Sequence, residues 1–586
     1  MKALIFLAVL LLINTGAAMD LRGPIVSMEK GEKLSLDGSN FPGFYYSLGT
    51  GTTDTSYEKL VMNFSSNGSV DVGEATYTLT VSSSGRTAFS GKQYQSLNHL
   101  NSPTGMPNLL SEVWSISKSI PGINQSIVLG EGYEIALKDV AGRDGGKEAA
   151  LLELRKDGKP IFESAVVPGD YFNYTKNING SDYTLIKSKV DWVFSGNSFN
   201  ESIKPAYNAS IPAFSQYSEN PIEIKVGNKY GEFEVKSITN TSIILKNTAV
   251  LSFPLDSEVS ILDGFIKFRT AKEVYKAYAI NSSAEAKSYE LRGTPASNVA
   301  SYNWSASNFG GMFYDPEYDV STEWLNVTIN RTNKQIAKGN LVYETAPVKI
   351  PYRNPEMASF SESYFKDKLP VIGWQGERYA AIGSAGRLSK ILLDTDDKQT
   401  LHIGELWDLG EGYTLTVKDI GEEDRAAVIS LAKNGLEVYS SLVEPGSSAD
   451  LGTHTFLYTK KINGVLAPVF SVYVEAVLDG KQDMAQFKYP LMISDSPVEI
   501  NPGDSFGNVT VVSASDKLRL ENDHAVPVYY GDTIDATGDI WFKAASSTTM
   551  RFYPLITKIQ QDESYISTSP LPDMAVEDYL MGEEEK

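Results

Sequence analysis

The residues that could do chemistry are few in kind. The chain of 586 residues contains no cysteine, which removes disulfides, thiolate nucleophiles and cysteine-ligated zinc. It has four histidines, His99, His402, His454 and His524. None is spaced as His-Glu-x-x-His, the pattern that brings two imidazoles and a general base to one zinc ion. His402 and His454 stand beside strand-like segments and read as structural. Ile382-Gly383-Ser384-Ala385-Gly386 lacks the spacing of a Gly-x-Ser-x-Gly nucleophile elbow. No phosphate-cradling loop or dinucleotide fingerprint occurs. Carboxylates are plentiful, and a glycosidase pair leaves no short motif, so a secreted hydrolase stays open as the weakest functional class. No catalytic or cofactor-binding residue is assigned, and the chain is not expected to be an enzyme.

Asp394-Thr395-Asp396-Asp397 carries the sharpest site expectation. Ca²⁺ takes about six to eight oxygens, and Asp394, Asp396 and Asp397 could supply some of them from one turn. The EF-hand glycine and terminal glutamate are missing, so a solvated turn is the competing reading. Glu422-Glu423-Asp424 has the same two readings. Trp114, Trp192, Trp304, Trp324, Trp374, Trp407 and Trp541 could stack on sugars. Their dispersal fits sandwich cores better.

The elements that would hold these residues are strands. Tyr77 to Val81, Tyr413 to Val417, Pro221 to Val226, Asn508 to Val512 and Lys517 to Leu520 alternate apolar and polar at period two. Asp157-Gly158 and Asn434-Gly435 are hairpin-turn dipeptides, because both central residues of a type I′ turn need positive φ. Long helical stripes are absent; Ala284 to Leu291 reads as a short helix or part of a linker. Antiparallel sandwiches are the architecture expected, and long loops such as Lys92 to Leu110 could bind partners.

One large unit occurs twice. Leu129-Gly130-Glu131-Gly132-Tyr133 returns as Leu409-Gly410-Glu411-Gly412-Tyr413. Lys138-Asp139 returns as Lys418-Asp419, and Lys156-Asp157-Gly158 as Lys433-Asn434-Gly435. Tyr174-Thr175-Lys176 matches Tyr458-Thr459-Lys460, and Pro221-Ile222-Glu223 matches Pro497-Val498-Glu499. Upstream, Leu21-Arg22-Gly23 parallels Leu291-Arg292-Gly293, and Ser39-Asn40-Phe41 parallels Ser307-Asn308-Phe309. An ordered series of matches indicates duplication. Each unit is long enough for a pair of antiparallel sandwich subdomains.

Residues 1–18 read as a signal peptide: Lys2, an apolar run from Ala3 to Ile13, and small residues Gly16 and Ala18 at the exit. The first unit is placed at 19–272, a linker at 273–290, the second unit at 291–556 and a polar acidic tail at 557–586. No apolar segment near the C-terminus reads as a membrane anchor. The formal net charge of -21 disfavours nucleic acid and anionic lipid as partners. Sequons start at Asn63, Asn67, Asn124, Asn173, Asn179, Asn200, Asn208, Asn240, Asn281, Asn303, Asn326, Asn330 and Asn508. They make N-linked glycans an expected attachment in an exporting organism that has the transferase. All but Asn508 precede residue 331.

A family resemblance rests on the second unit. Tyr379-Ala380-Ala381-Ile382-Gly383, then Leu388 to Asp394, then Leu409 to Tyr413, with Gly538 to Lys543 and Met550 to Pro554 closing it, resembles the tandem-duplicated S-layer domain family of methanogenic archaea of the Methanosarcina type. Asp263 to Phe268 is a looser echo of the closing motif in the first unit. The resemblance implies paired β-sandwiches in each unit, glycosylation, and self-association or association with S-layer proteins in a porous cell-surface lattice. Family members end in a polar tether and a transmembrane helix, a pattern from which this sequence departs. The competing binding class is a secreted carbohydrate- or protein-binding adhesion module.

Overall fold

A computed structural model describes residues 19–559 apart from 50–54, 99–105, 121–122, 124, 143–147, 179, 196–206, 284–287, 363, 422–425, 447–453, 479–482 and 547–548. The expected signal segment 1–18 and residues 560–586 of the tail lie outside the described residues. Apart from two short 3₁₀ turns, Gly130–Gly132 and Pro355–Ser359, and helical Leu97 and Asn98, the described regular elements are strands. Their ladders are antiparallel, so the all-β expectation holds. The alternation seen in sequence is the cause. In Ala75–Thr80, for example, Ala75, Tyr77 and Leu79 are buried while their neighbours are not. Asp157, Gly158, Asn434 and Gly435 all have positive φ, as the hairpin reading requires.

Each unit is a sandwich with a second sandwich inserted into it. In the first unit the base sandwich packs a four-stranded sheet on a six-stranded one. The four-stranded sheet runs Met19–Ser27, Lys276–Ser283, Ile266–Thr270, Glu258–Ile261. The six-stranded sheet runs Lys33–Asp37, Glu58–Asn63, Ala75–Thr80, Ser242–Asn247, Phe233–Ile238, Lys229–Tyr230. Phe41, Phe44, Tyr77, Phe233 and Phe268 fill the space between. The chain leaves this sandwich to build the inserted one, whose core holds Tyr133, Leu137, Leu152, Phe172 and Leu185.

The second unit repeats this order. Ser288–Arg292, Arg551–Ile559, Trp541–Ala544 and Thr533–Asp535 form one base sheet. Ser301–Ser305, Glu323–Asn330, Gln335–Thr345, Leu518–Glu521, Val509–Ala514 and Ser505–Phe506 form the other. The first strand of each base sandwich pairs with its last, Met19–Ser27 with Lys276–Ser283 and Ser288–Arg292 with Arg551–Ile559. The repeated blocks read in sequence therefore correspond to a repeated topology.

The fold corrects three local expectations. Lys276–Ser283, assigned to a linker, is an interior strand in which Ala277, Tyr278, Ala279 and Ile280 are buried between two neighbours. Of the segment read as a helix or linker, 284–287 lie outside the described residues and Ser288–Arg292 is a strand. The Lys92 to Leu110 loop is shorter than expected, because Lys92–Ser96 and Leu109–Ile120 pair with each other. Leu21, Tyr278 and Ile280 of the first unit pack into the core of the second base sandwich. The two bases thus share an apolar seam. Among the described residues no helix is long and apolar enough to cross a membrane.

Candidate functional site

The seam is built from the repeated Leu-Arg-Gly tripeptide. Arg22 begins the first unit but its guanidinium reaches into the second, where Nε donates to the Gly310 carbonyl at 2.9 Å and Nη2 to that of Met312. Arg292 makes the converse reach. Its Nε donates to the Gly38 carbonyl at 2.9 Å, and its Nη2 to Gly38, Phe41 and Phe44 at 2.6, 2.9 and 2.8 Å. Aromatic faces cover both cations, Tyr278 and Tyr314 for Arg22 and Tyr46 for Arg292. Burial lowers both arginine pKa values, yet a guanidinium in this setting keeps its charge. Close approach demands glycine here: a Cβ on Gly310 would stand 1.9 Å from the Arg22 carbonyl oxygen.

Behind each arginine lies a buried glutamate of the partner unit. Glu58 accepts from Tyr77 Oη at 2.5 Å and from the backbone N–H of Tyr45 and Gly91 at 3.0 Å. Glu323 accepts from Tyr343 Oη at 2.5 Å, Phe313 N at 2.6 Å and Gly376 N at 3.0 Å. Burial pushes Glu58 up to about 7, against the field of Arg292 and its own hydrogen bonds. Glu323 moves in the same direction for the same reason, opposed by its hydrogen bonds and by Arg22. Sequence reasoning missed this pair. The available signal was a Glu-x-Leu opening two matched strands, Glu58–Asn63 and Glu323–Asn330.

A second repeated cluster lies within each inserted sandwich, and the Leu-Gly-Glu-Gly-Tyr blocks build it. Glu131 and Glu411 sit at positive φ, which turns their side chains toward the loop before the matched Pro-x-Glu. Glu131 accepts from Ser218 Oγ at 2.6 Å and Glu219 N at 3.0 Å; Glu411 accepts from Ser494 Oγ at 2.8 Å. Tyr133 Oη donates to Glu219 and Tyr413 Oη to Asp495, both at 2.8 Å. Lys156 and Lys176 pair with Glu219. Lys433 and Lys460 pair with Asp495 at 2.6 and 2.5 Å. Burial opposes ionisation of both carboxyls, but these donors outweigh it. They hold Glu219 down to about 2 and Asp495 well below the ordinary range. The arrangement is a structural knot, with every acid matched by donors.

The residues singled out in sequence are scattered. His99 lies outside the described residues. His402 and His524 are exposed, and buried His454 donates from Nδ1 to the Glu444 carbonyl at 2.9 Å. Asp394 pairs with Arg353 at 3.1 Å and Arg378 at 2.8 Å, Asp396 with Arg353 at 3.0 Å, and Asp397 accepts from Thr395. Among the described residues no three His, Asp or Glu side chains are grouped to hold a metal. Glu422 to Asp424 lie outside the described residues. Trp304 and Trp374 are buried, Trp407 is partly buried, and Trp324 and Trp541 are partly exposed; the side chains of Trp114 and Trp192 lie outside the described residues. Of the sequon asparagines, Asn63, Asn67, Asn173, Asn240, Asn303 and Asn330 are exposed. Asn281 and Asn508 donate their amide nitrogens to the carbonyls of Phe265 and Asp535. Asn303 and Asn326 face each other across a strand pair and hydrogen-bond together. Asn124, Asn179, Asn200 and the Asn208 side chain lie outside the described residues.

Comparison with known proteins agrees with this duplicated frame. The S-layer protein family matches residues 115–272 and 294–546, together more than half of the chain. The major S-layer protein of Methanosarcina barkeri is 27% identical, the match spanning 97% of this chain and 88% of the relative. That of Methanosarcina mazei is 26% identical over 95% of this chain and 87% of the relative. That of Methanosarcina acetivorans is 28% identical over 74% of this chain and 65% of the relative. A family match that falls in both units, on a topology that is itself duplicated, makes the chain a member of the S-layer protein family.

Proposed function

We propose that this protein is exported and serves as a structural subunit of a cell-surface lattice, with no catalytic role. Family membership across both units is the observation that carries the reading. The seam and the knots support it, because the seam spends its charged groups on holding the two units together and each knot spends its own on tying one inserted sandwich. Cleavage of the 1–18 segment, attachment of N-linked glycans and self-assembly belong to the same proposal. Among the described residues the exposed asparagines Asn67, Asn173, Asn240 and Asn330 are accessible to a transferase, whereas exposed Asn63 and Asn303 donate their amide nitrogens to Glu74 and Asn326. Asn281 and Asn508, whose amide nitrogens are already engaged, are expected to carry less sugar. A lattice of chains this acidic passes cations and small neutral solutes and slows anions, by the sign of its field.

Fractionation of the producing cell tests the reading. The protein is expected in purified envelope sheets, with its N-terminus beginning near residue 19. Recovery from the medium or cytoplasm alone would overturn it.

A further inference from the structure

The duplication supplies an internal control for one surface. In the first inserted sandwich, the sheet Ser126–Val128, Tyr133–Gly142, Glu148–Lys156 and Lys159–Val166 carries a charged network on its outward face. Lys138 pairs with Glu153 at 2.8 Å and Glu163 at 2.5 Å; Arg155 pairs with Glu153 at 2.6 Å and Glu134 at 3.4 Å. The edge strand of that sheet opens with Lys159-Pro160, a lysine and a proline that discourage pairing with another chain.

The matched sheet of the second unit, Leu406–Gly410, Tyr413–Ile420, Ala427–Lys433 and Leu436–Val443, has lost that network. At the same register positions Thr414 replaces Glu134, Ser430 replaces Glu153, Ala432 replaces Arg155 and Ser440 replaces Glu163. Leucines appear where the first unit has Ser126, Lys159 and Ala165. These are Leu406, Leu436 and Leu442, and they are 68%, 74% and 59% exposed. Lys418 is retained from Lys138 and pairs with Glu437, which stands where the first unit has Pro160, and Asp408 stands on the far strand. Leu436–Val443 ends its sheet and carries no proline.

We propose that this charge-poor face, which bears Leu406 and Leu442, and the open edge strand that begins at Leu436 are where a second copy of the chain docks. The occupant follows from charge. Two copies at -21 each repel wherever their acidic surfaces meet, so contact between them needs a patch stripped of charge. This face is stripped relative to its own duplicate, while the strands behind it keep the same topology. The second inserted sandwich also carries no sequon between residues 331 and 507, so no sugar would intrude. A contact of this face with itself across a two-fold axis satisfies both partners with one surface. The inference rests on the lattice role and specifies one of its interfaces.

Sedimentation velocity on the full chain over a concentration series tests it, with thermal melts on each variant. Leu436→Lys combined with Leu442→Lys is expected to weaken self-association by at least about tenfold with an unchanged melt. Leu406→Glu, on the opposite edge of the same sheet, should act alike. Ala165→Lys, at the position matched to Leu442, should associate like the wild type. Wild-type-like association of the leucine variants would overturn the proposal, as would equal disruption by Ala165→Lys. A wild type that stays a single copy at every concentration would overturn it too, leaving the face to an envelope glycan or another protein. If the chain is found in envelope sheets and the leucine variants still associate normally, the docking face fails and the lattice role stands. Loss of association in these variants by a chain absent from the envelope would give the reverse.

Discussion

Arg22 and Arg292 hold the same place at the start of their units, and each ends in a carbonyl cup of the other unit. The glutamate buried behind each cup belongs to the unit that forms the cup, so the cation and the acid of each pair come from opposite halves of the chain. With Leu21, Tyr278 and Ile280 packed in the second core, this exchange makes the two base sandwiches one mechanical body. For a lattice subunit the consequence is that load crosses the seam through buried contacts and not through a tether.

Replacing Arg292 by methionine keeps bulk but leaves the Gly38, Phe41 and Phe44 carbonyls without their buried donor. A loss of about 2–4 kcal/mol is expected from orphaned acceptors and lost charge-assisted hydrogen bonds. Urea unfolding followed by tryptophan fluorescence should show an earlier onset and a transition that broadens or splits as the units uncouple. Arg22→Met, with two carbonyl partners and more solvent around it, should cost less. A midpoint unchanged in Arg292→Met would refute the clamp.

The buried glutamates give the seam a pH dependence of known sign. Glu58 is raised from 4.5 to about 7, so the folded chain holds a proton that the unfolded chain has released. Its contribution is whole below about pH 4.5 and is lost as pH rises through about 7. The size is on the order of 3 kcal/mol, and Glu323 adds in the same direction. Melting temperature is expected to fall from pH 5 to pH 8. Glu58→Gln should be less stable at pH 5 and should show a flatter profile. A slope identical to the wild type would exclude Glu58 as its source.

The strands, their turns and the duplication were legible because each is local. Asp157-Gly158 fixes a hairpin through its own φ angles, and Tyr413 to Val417 alternates whatever it packs against. The nesting was not legible, because pairing Met19–Ser27 with Lys276–Ser283 depends on residues far apart in the chain. The same reason hid the purpose of the repeated blocks. Glu131, Tyr133, Lys156 and Lys176 read as separate turn and strand signals, while their shared target Glu219 lies outside every matched block. One cue was present: an acid stands two residues before the matched proline in both units, Glu219 before Pro221 and Asp495 before Pro497. The arginine partners of Asp394 were equally invisible, since Arg353 and Arg378 come from other strands and loops.

Asp495→Asn tests whether the knot holds the second inserted sandwich. The substitution keeps shape but leaves Lys433 and Lys460 facing a neutral amide, and a cost of about 1–3 kcal/mol is expected for removing a buried carboxylate from two solvent-reaching lysines. Because the carboxyl is held below its ordinary 3.8, its contribution is present above that value and is lost only as pH falls well beneath it. The variant should therefore differ from the wild type at pH 7 and converge with it in strong acid. Glu219→Gln should weaken the first inserted sandwich in the same way. Hydrogen exchange on strands Tyr413–Ile420 and Ala427–Lys433 would localise the effect; protection unchanged there would reject the assignment.

Arg353 supplies positive charge to the Asp394 cluster. Its guanidinium pairs with Glu317, Asp394 and Asp396, and Arg378 takes the second oxygen of Asp394 while also reaching Asp315 at 3.3 Å. A cation entering here must displace fixed positive charge, so millimolar Ca²⁺ is expected to leave the melt of the wild type unmoved. Arg353→Met reverses the balance. It strands three carboxylates within one guanidinium's reach and should cost about 2–4 kcal/mol through their mutual repulsion and lost pairing. Those oxygens are hard ligands, but no three acidic side chains among the described residues are grouped to hold a metal, so Ca²⁺ is expected to restore no more of the loss than Na⁺ of the same ionic strength. A wild type stabilised by Ca²⁺ would show that the aspartates bind the ion despite the arginines. An Arg353→Met variant restored by Ca²⁺ beyond the effect of Na⁺ would show that they are close enough to share one.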